Sequence, residues 1–365
     1  MKALLFILVS MFFVVEVYGQ YNAPESVVYD APRQRYLVSN VGGADIKAIS
    51  SQGVVSPFVT APGFAVYRGM VIAGDNLYVT NFDRMMGYRL SDGQEIFNVQ
   101  VPMAGNITSM NDVETDGNGF IYASDMNNNR IIKFNIATGA FWTFASGIDT
   151  PNGLLYDAPR NRMLVCTYIT SNSAIYGINM SDSSISTLAI TPFQQLDGLT
   201  RDDNYNIFVS SWGTGSVYYY DITFSAPPMQ VATGINGPAD IFYNRMTDTL
   251  VIPSFNGNSV SFMHFTITGI QNTGNNIADE YKLEQNYPNP FNPTTNLKFK
   301  IKNENFVKLS VFDASGKEVA VLVNSKLNAG EYEYTFDGAK LSSGVYFYTL
   351  QTDGFIETKK MMLVK

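Results

Sequence analysis

NDVETDGNGFIYASD (Asn111–Asp125) is one of six copies of the pattern that decides the architecture of this chain. Two small or polar residues open the pattern. An apolar strand follows, then a turn, then a second strand of aromatic and β-branched residues. The other copies are ESVVYDAPRQRYLVSN from Glu25, RGMVIAGDNLYVTN from Arg68, NGLLYDAPRNRMLVCT from Asn152, DGLTRDDNYNIFVSS from Asp197 and ADIFYNRMTDTLVIPS from Ala239. Their second residues are Ser26, Gly69, Asp112, Gly153, Gly198 and Asp240, spaced 43, 43, 41, 45 and 42 residues apart. The second strand keeps step at Val38, Val79, Ala123, Val165, Val209 and Val251.

A period in this range, with several strands per unit, is the signature of a β-propeller. A single blade cannot bury both of its faces, so neighbours must stack around a ring. Six copies predict a six-bladed β-propeller over residues 20–268. Asp116-Gly117 and Asn204-Tyr205 fall where hairpin turns belong. The other reading of the same spacing is a β-sandwich. The sixth copy is short: no clear fourth strand follows Ser259–Thr268, and residues near Tyr21 are the expected completion of that blade.

Both ends of the chain read differently from the repeat. Lys2 is followed by a 13-residue apolar run, Ala3–Val15, and by Val17-Tyr18-Gly19. That is the layout of a cleaved signal peptide over residues 1–19, and the run is short for a bilayer. The alternatives are a membrane anchor or a buried strand. No Cys follows the run, which excludes a lipidated start. Gly269–Asp279, rich in Asn, Gly and Thr, reads as part of a linker over 269–280. Beyond it, residues 281–365 alternate as short strands, LKFKIK, VKLSVFDASGKEV, YEYTFDG, GVYFYTLQTDG and TKKMMLVK. They predict a small immunoglobulin-like β-sandwich.

Composition limits the functions open to the chain. Formal net charge is −8 and no basic block occurs, so nucleic-acid binding lacks its cationic footprint. Cys166 is the only cysteine, so no intramolecular disulfide forms. It lies in the apolar strand MLVCTY and reads as core rather than nucleophile. The only histidine, His264, sits on an aromatic strand, where packing is the expected role. A Ser-His-Asp triad has little support. Gly213-Thr214-Gly215 is a turn rather than a phosphate loop, because no helix follows.

In a propeller the innermost strands ring a central channel, and their first residues surround one mouth. Those residues are Glu25, Arg68, Asn111, Asn152, Asp197 and Ala239. Four of them carry oxygen donors. Two carboxylates and two amide carbonyls on one axis suit Ca²⁺ first, with Zn²⁺ or Mg²⁺ as the other candidates. The plain alternative is that Asn and Asp sit there as turn residues. Arg68 either offsets the acidic groups, binds a substrate carboxylate or forms an ion pair in the channel wall. Trp212 either lines the mouth or packs between blades.

Two resemblances sharpen this reading. PESVVYD at Pro24–Asp30, NDVETDGNGFIYASDM at Asn111–Met126, PNGLLYD at Pro151–Asp157 and LDGLTRDDNYNIFVSSWGTGSVYYYD at Leu196–Asp221 resemble the regucalcin/gluconolactonase family. The resemblance implies that Glu25, Asn152 and Asp197 bind a divalent metal, with Asn111 beside them toward the substrate. It implies lactone hydrolysis, in which the metal polarises the ester carbonyl and acidifies a bound water. Asp197 is then the candidate base, and Arg68 a second substrate contact. Two departures stand out. The family pattern has an Arg two residues before the third-blade Asn, where this chain has Ser109, and the turn reads Asn-Asp-Val rather than Asn-Asp-Gly. The Asn111–Phe134 copy also resembles NHL-type propellers, which bind proteins or other ligands. The rival to a lactonase is thus a non-catalytic extracellular propeller that binds a protein or glycan, and a lyase-type propeller is a third reading.

The second resemblance lies at the C-terminus. NYPNPFNPTT at Asn286–Thr295, SGKEV at Ser315–Val319, LSSGVYFYTL at Leu341–Leu350 and the final KKMMLVK resemble the sorting domain of the type IX secretion system. It implies a secretion machinery as partner. It also implies export through periplasm and outer membrane to the cell surface or beyond. No later segment is apolar enough to predict a transmembrane span.

Overall fold

The computed structural model describes residues 10–18, 21–266, 270–274 and 280–365, apart from residues 62, 64, 104, 204, 304, 328 and 340. The chain falls into two compact units, one spanning Phe12–His264 and one built on Phe265–Lys365.

The first unit is the expected propeller: six sheets of four strands. The innermost strands are Pro24–Asp30, Tyr67–Ala73, Met110–Thr115, Pro151–Asp157, Leu196–Arg201 and Phe242–Asn244. Each pairs antiparallel with the second strand of its own repeat. The register puts Val27 opposite Val38, Met70 opposite Val79 and Val113 opposite Ala123. It continues with Leu154 opposite Val165, Leu199 opposite Val209 and Phe242 opposite Val251. All six second-strand residues are fully buried. Burying an aliphatic side chain of this size contributes about 1.5–3 kcal/mol, which explains why the position recurs as a small apolar residue.

The core lies between blades rather than within them. Leu37 and Ile46 of the first blade pack with Leu77 and Met86 of the second. Val38 and Ile49 pack with Val251 and Val260 of the sixth, which closes the ring. The repeated DAPR turns have a structural reason. Buried Asp30 accepts from Arg35 Nε at 2.9 Å and Arg33 Nη1 at 3.2 Å. Asp157 accepts from Arg162 Nε at 2.8 Å and Arg160 Nη1 at 3.3 Å.

The sixth blade differs from expectation. Its outermost strand is Ser10–Tyr18, paired beside Ser259–Thr266, and not the residues near Tyr21. Tyr21 instead packs between the sixth and first blades. The strand falls within the stretch read as a signal peptide, because an apolar, β-branched run suits an unpaired sheet edge as well as a leader. Residues 1–9 and 19–20, which carry the start and end of that leader, lie outside the described residues.

The second unit is the expected sandwich of two four-stranded sheets. One sheet is ordered Ile270–Gly274, Gly330–Asp337, Thr294–Ile301, Lys282–Leu283; the other Glu318–Leu327, Asn305–Asp313, Gly344–Thr352, Phe355–Leu363. Leu297, Phe299, Leu309, Tyr348 and Leu350 share its core. The linker expected at 269–280 is corrected here: Ile270–Gly274 is a strand, with Ile270 opposite Tyr334. An edge strand is recruited through its backbone, so a composition of Asn, Gly and Thr does not reveal it. The Asn/Pro-rich stretch clamps the last strand. Phe291 is buried, its N–H donates to the Met362 carbonyl at 2.9 Å, and its carbonyl accepts from Val364 N–H at 3.0 Å. Asn289 Oδ1 accepts from Met362 N–H at 3.0 Å. The two motifs at opposite ends of this unit are thus one structural device.

Candidate functional site at one channel mouth

In each of the first five blades the inner strand bulges between its first paired residue and the next, for example between Pro24 and Val27 or Leu196 and Leu199. One extra residue is accommodated there, and a bulge re-aims side chains. Glu25, Arg68, Asn111, Asn152 and Asp197 all occupy these bulges. This is why they converge on one mouth, while the strands below continue their ordinary alternation.

A relay of small hydroxyl or thiol groups holds the bulges together. Ser39 Oγ accepts from Ser26 N–H at 3.0 Å and donates to the Arg68 carbonyl at 2.7 Å. Ser210 Oγ accepts from Gly198 N–H and donates to the Ala239 carbonyl, both at 2.8 Å. Thr80 Oγ1 donates to the Asn111 carbonyl, and Cys166 Sγ contacts the Asp197 carbonyl at 3.1 Å. Cys166 therefore occupies the fifth position of its strand as a blade-to-blade link. It is buried, and burial raises its thiol pKa, consistent with a core role.

The glycines have an equally local reason. A Cβ on Gly153 would lie 2.1 Å from the Asp197 carbonyl oxygen and 3.0 Å from Cys166 Sγ. A Cβ on Gly198 would lie 2.5 Å from Ile241 N. Inner strands touch here without side chains between them. Gly153→Ala is expected to destabilise the propeller by about 3 kcal/mol or more. Urea unfolding checks it; an unchanged midpoint would mean that the inner strands can spread freely.

Sequence reasoning did not single out Asp112 and Asp240 as site residues. They stand where three other blades carry Gly and the first carries Ser26. Asp112 Oδ2 accepts from Leu154 N–H at 2.6 Å and Oδ1 from Val113 N–H at 2.7 Å. Asp240 Oδ2 accepts from Ser26 Oγ at 2.6 Å, and its N–H donates to the Glu25 carbonyl at 2.9 Å. Both carboxyls are pushed well above the usual range, first by burial; each also feels other carboxylates nearby. The visible signal was Asp replacing Gly at the second repeat position.

At the mouth, Glu25, Asn111, Asn152 and Asp197 are all buried, with Asn152 only 1% exposed and Asp197 2%. Burial pushes the Glu25 carboxyl up to about 7, against the opposing charge of Arg68. Asp197 is pushed well above its ordinary value by burial, then by the charges of Glu25 and Asp112. Glu25, Arg68 and Asp197 thus feel one another's charge. Ala239 contributes no donor. Asn111 Nδ2 lies 2.9 Å from Met126 Sδ, which turns its amide NH₂ toward blade three and leaves the carbonyl as its acceptor end.

The decisive feature is what lacks a partner. Both amide atoms of Asn152 and Oδ1 of Asp197 are buried without a hydrogen bond; the indole N–H of Trp212 also lacks one of good geometry, but lies near enough to Asp197 to favour its carboxylate. Buried polar atoms are normally satisfied, and each orphan costs about 1–3 kcal/mol. The orphans on Asn152 and Asp197 sit on adjoining inner strands, where Gly153 packs against the Asp197 carbonyl. No cluster of three or more His, Cys, Asp or Glu side chains suited to a metal occurs among the described residues. The donors here are two carboxylates and an amide, an oxygen set that suits a hard divalent cation.

Around the mouth, Trp212 lies between Tyr168 and Phe255, ring centroids 6.0 and 5.1 Å apart. Arg68 Nη1 is 3.1 Å from Ser109 Oγ, and its guanidinium lies over the Phe82 ring at 5.7 Å. His264 is exposed and bonded to Thr249 Oγ1 at 2.9 Å, so it is a surface residue rather than the packing residue expected.

Residues 23–226 match the profile of the SMP-30/gluconolactonase/LRE-like region, and residues 285–365 that of the secretion system C-terminal sorting domain. The chain belongs to the SMP-30/gluconolactonase/LRE-like family. Among solved structures, this SMP-30/gluconolactonase-like propeller is similar to a gluconolactonase from Xanthomonas campestris (16% identity, TM-score 0.60, covering 69% of this chain and 89% of that one). It is similar to a luciferin-regenerating enzyme (13%, TM-score 0.57, 70% and 96%) and to virginiamycin B lyase from Staphylococcus aureus (13%, TM-score 0.53, 69% and 99%). At these identities the likeness is one of fold. No curated protein matches the chain. Among the described residues no helix is long and apolar enough to cross a membrane.

Proposed function

We propose that the propeller is an exported, divalent-metal-dependent hydrolase of a sugar lactone or similar ester. The observation that carries this reading is the set of orphaned buried atoms on Asn152 and Asp197 beside Glu25. These three residues would hold the cation. When bound, the metal supplies Lewis-acid polarisation of the ester carbonyl and a more acidic water. Asp197 offers a carboxylate oxygen to take a proton from the attacking water. Asn111 and Arg68 bind and orient the substrate. Trp212, Tyr168 and Phe255 keep one side of the mouth dry. His264, exposed on the sixth blade, offers no base at this mouth. The C-terminal unit serves sorting to the cell surface or medium.

Arg68 resolves the departure at Ser109. The family pattern has an Arg at that position; here the Arg68 guanidinium contacts Ser109 Oγ from the neighbouring blade. A cation is delivered to the same place from another strand. Charge-assisted hydrogen bonds contribute about 1.5–3 kcal/mol. Arg68→Gln is expected to raise KM about tenfold or more, with metal content retained. Ser109→Arg added to that variant should recover part of the loss. A KM unchanged in Arg68→Gln would remove Arg68 from substrate binding.

The function is tested on the full chain, stripped with chelator, reloaded separately with Ca²⁺, Zn²⁺ and Mg²⁺, and assayed on a panel of aldonolactones. Metal-dependent ring opening is the expected result. Retained metal with no turnover on any lactone would leave a binding role only.

A further inference from the structure

A cavity of about 700 Å³ opens at the other end of the channel from Glu25, where the inner strands finish. None of Glu25, Arg68, Asn152 and Asp197 lines it. Its lining mixes aliphatic side chains of the inner strands with Arg201, Arg245 and four acidic residues, Asp112, Glu114, Asp203 and Asp240.

The two arginines are weakly compensated. Arg201 is half-buried, lies over the Tyr205 ring at 4.2 Å and donates from Nη1 to the Asp202 carbonyl at 3.3 Å. Among the described residues no carboxylate lies within ion-pair distance of its guanidinium. Burial and the like charge of Arg245 lower its pKa, the direction expected of a cation short of a counter-charge. Arg245 has one loose contact, Nε to Asp203 Oδ1 at 3.9 Å, between two exposed side chains. Glu114, deeper in the cavity, is held by backbone donors instead: Oε1 accepts from Thr115 N–H at 2.6 Å and Oε2 from Tyr156 N–H at 3.4 Å. Burial pushes its carboxyl up to about 7. Near neutral pH it therefore offsets only part of the arginine charge.

We propose that this cavity is a second, metal-independent binding site for an amphipathic monocarboxylate, with its carboxylate on Arg201 and Arg245 and its apolar body along the strand walls. Arginine forks match planar carboxylates. A preformed cavity that pairs apolar strand faces with converging polar groups is a usual form of a small-molecule site. Four acidic groups share the lining with the two cations. Asp112 and Asp240 are engaged by Leu154 N–H and Ser26 Oγ, and burial favours the neutral forms of both and of Glu114. Asp203 is left as the one exposed carboxylate beside the arginines, so the local balance accommodates one negative charge rather than two. That favours an organic acid over inorganic phosphate.

The test is calorimetric titration of the full chain in chelator, using octanoate as the probe, with octanol and inorganic phosphate as comparisons. Octanoate should bind and octanol should not. Arg245→Gln, at an exposed position, should weaken octanoate at least tenfold, and Arg201→Gln should do the same. Asp197→Ala should leave octanoate affinity unchanged, which separates this site from the metal mouth. Absence of octanoate binding to the folded chain would overturn the proposal. So would affinity indifferent to Arg245→Gln, or phosphate binding as tightly as octanoate.

Discussion

Asp197→Ala is expected to abolish divalent-cation binding by the propeller and to lower lactone turnover about a thousandfold or more, while the fold survives. The size follows from the chemistry. A bound cation contributes several kcal/mol of charge stabilisation to an ester transition state, and about 4 kcal/mol is a thousandfold in rate. The survival of the fold follows from the local contacts. Asp197 Oδ1 has no hydrogen bond of good geometry, and the Trp212 indole N–H near the carboxyl is the one group its removal leaves further from an acceptor. The structural links at this position use the backbone: the Asp197 carbonyl meets Cys166 Sγ and packs against Gly153. Removing a buried carboxyl whose ionisation is disfavoured should raise the stability of the metal-free protein. Asp197→Asn separates two roles, because an amide can still offer an oxygen to a cation but cannot accept the proton. It should keep more metal than Asp197→Ala and gain little turnover. Elemental analysis, kcat/KM and the melting temperature read the three effects. Undiminished metal content in Asp197→Ala would end the assignment of Asp197 as a ligand.

How much of this was visible in the sequence depends on the distance over which each feature is encoded. The repeat was legible because every blade obeys the same alternation. The six residues from Val38 to Val251 recur in step and are all buried. Glu25, Asn152 and Asp197 were legible because each opens a copy, and copy openings become bulges at one mouth. Features that need ring closure were not. The links from Arg68 to Ser109 and from Ser39 to Arg68 each join neighbouring blades. No periodicity within a blade reports such pairs. Asp112 and Asp240 read as variations on Gly until their neighbours across the channel are in place. The edge strands Ser10–Tyr18 and Ile270–Gly274 were hidden for another reason. Pairing through the backbone leaves little mark on composition, so one stretch read as a leader and the other as a linker.

The metal-free propeller is expected to grow more stable as pH falls from about 8 toward 5, the reverse of ordinary acid weakening, and added cation should cancel much of this trend. The sign follows from proton counting. Glu25 titrates near 4.5 when unperturbed, and burial raises it to about 7 in the folded state. Between these values the folded protein holds a proton that the unfolded chain has released. Stability therefore declines as pH rises through this window, and the full penalty is present above about 7. At 1.36 kcal/mol per pKa unit, Glu25 alone accounts for roughly 3 kcal/mol across the window. Asp197, Asp112, Asp240 and Glu114 are shifted in the same direction and add to the slope. A divalent cation binds the deprotonated carboxylates and competes with their protons. Its stabilising effect should therefore be small near pH 5 and grow toward pH 8, following the mass-action form for a ligand that binds only the folded state. Glu25→Gln should flatten the metal-free slope and weaken the response to cation together. Urea unfolding at several pH values, with chelator and with Ca²⁺, measures all of this. Stability that rises with pH in chelator, or a Ca²⁺ effect of equal size at pH 5 and pH 8, would show that the carboxyls at this mouth are neither proton-loaded nor poised for a metal.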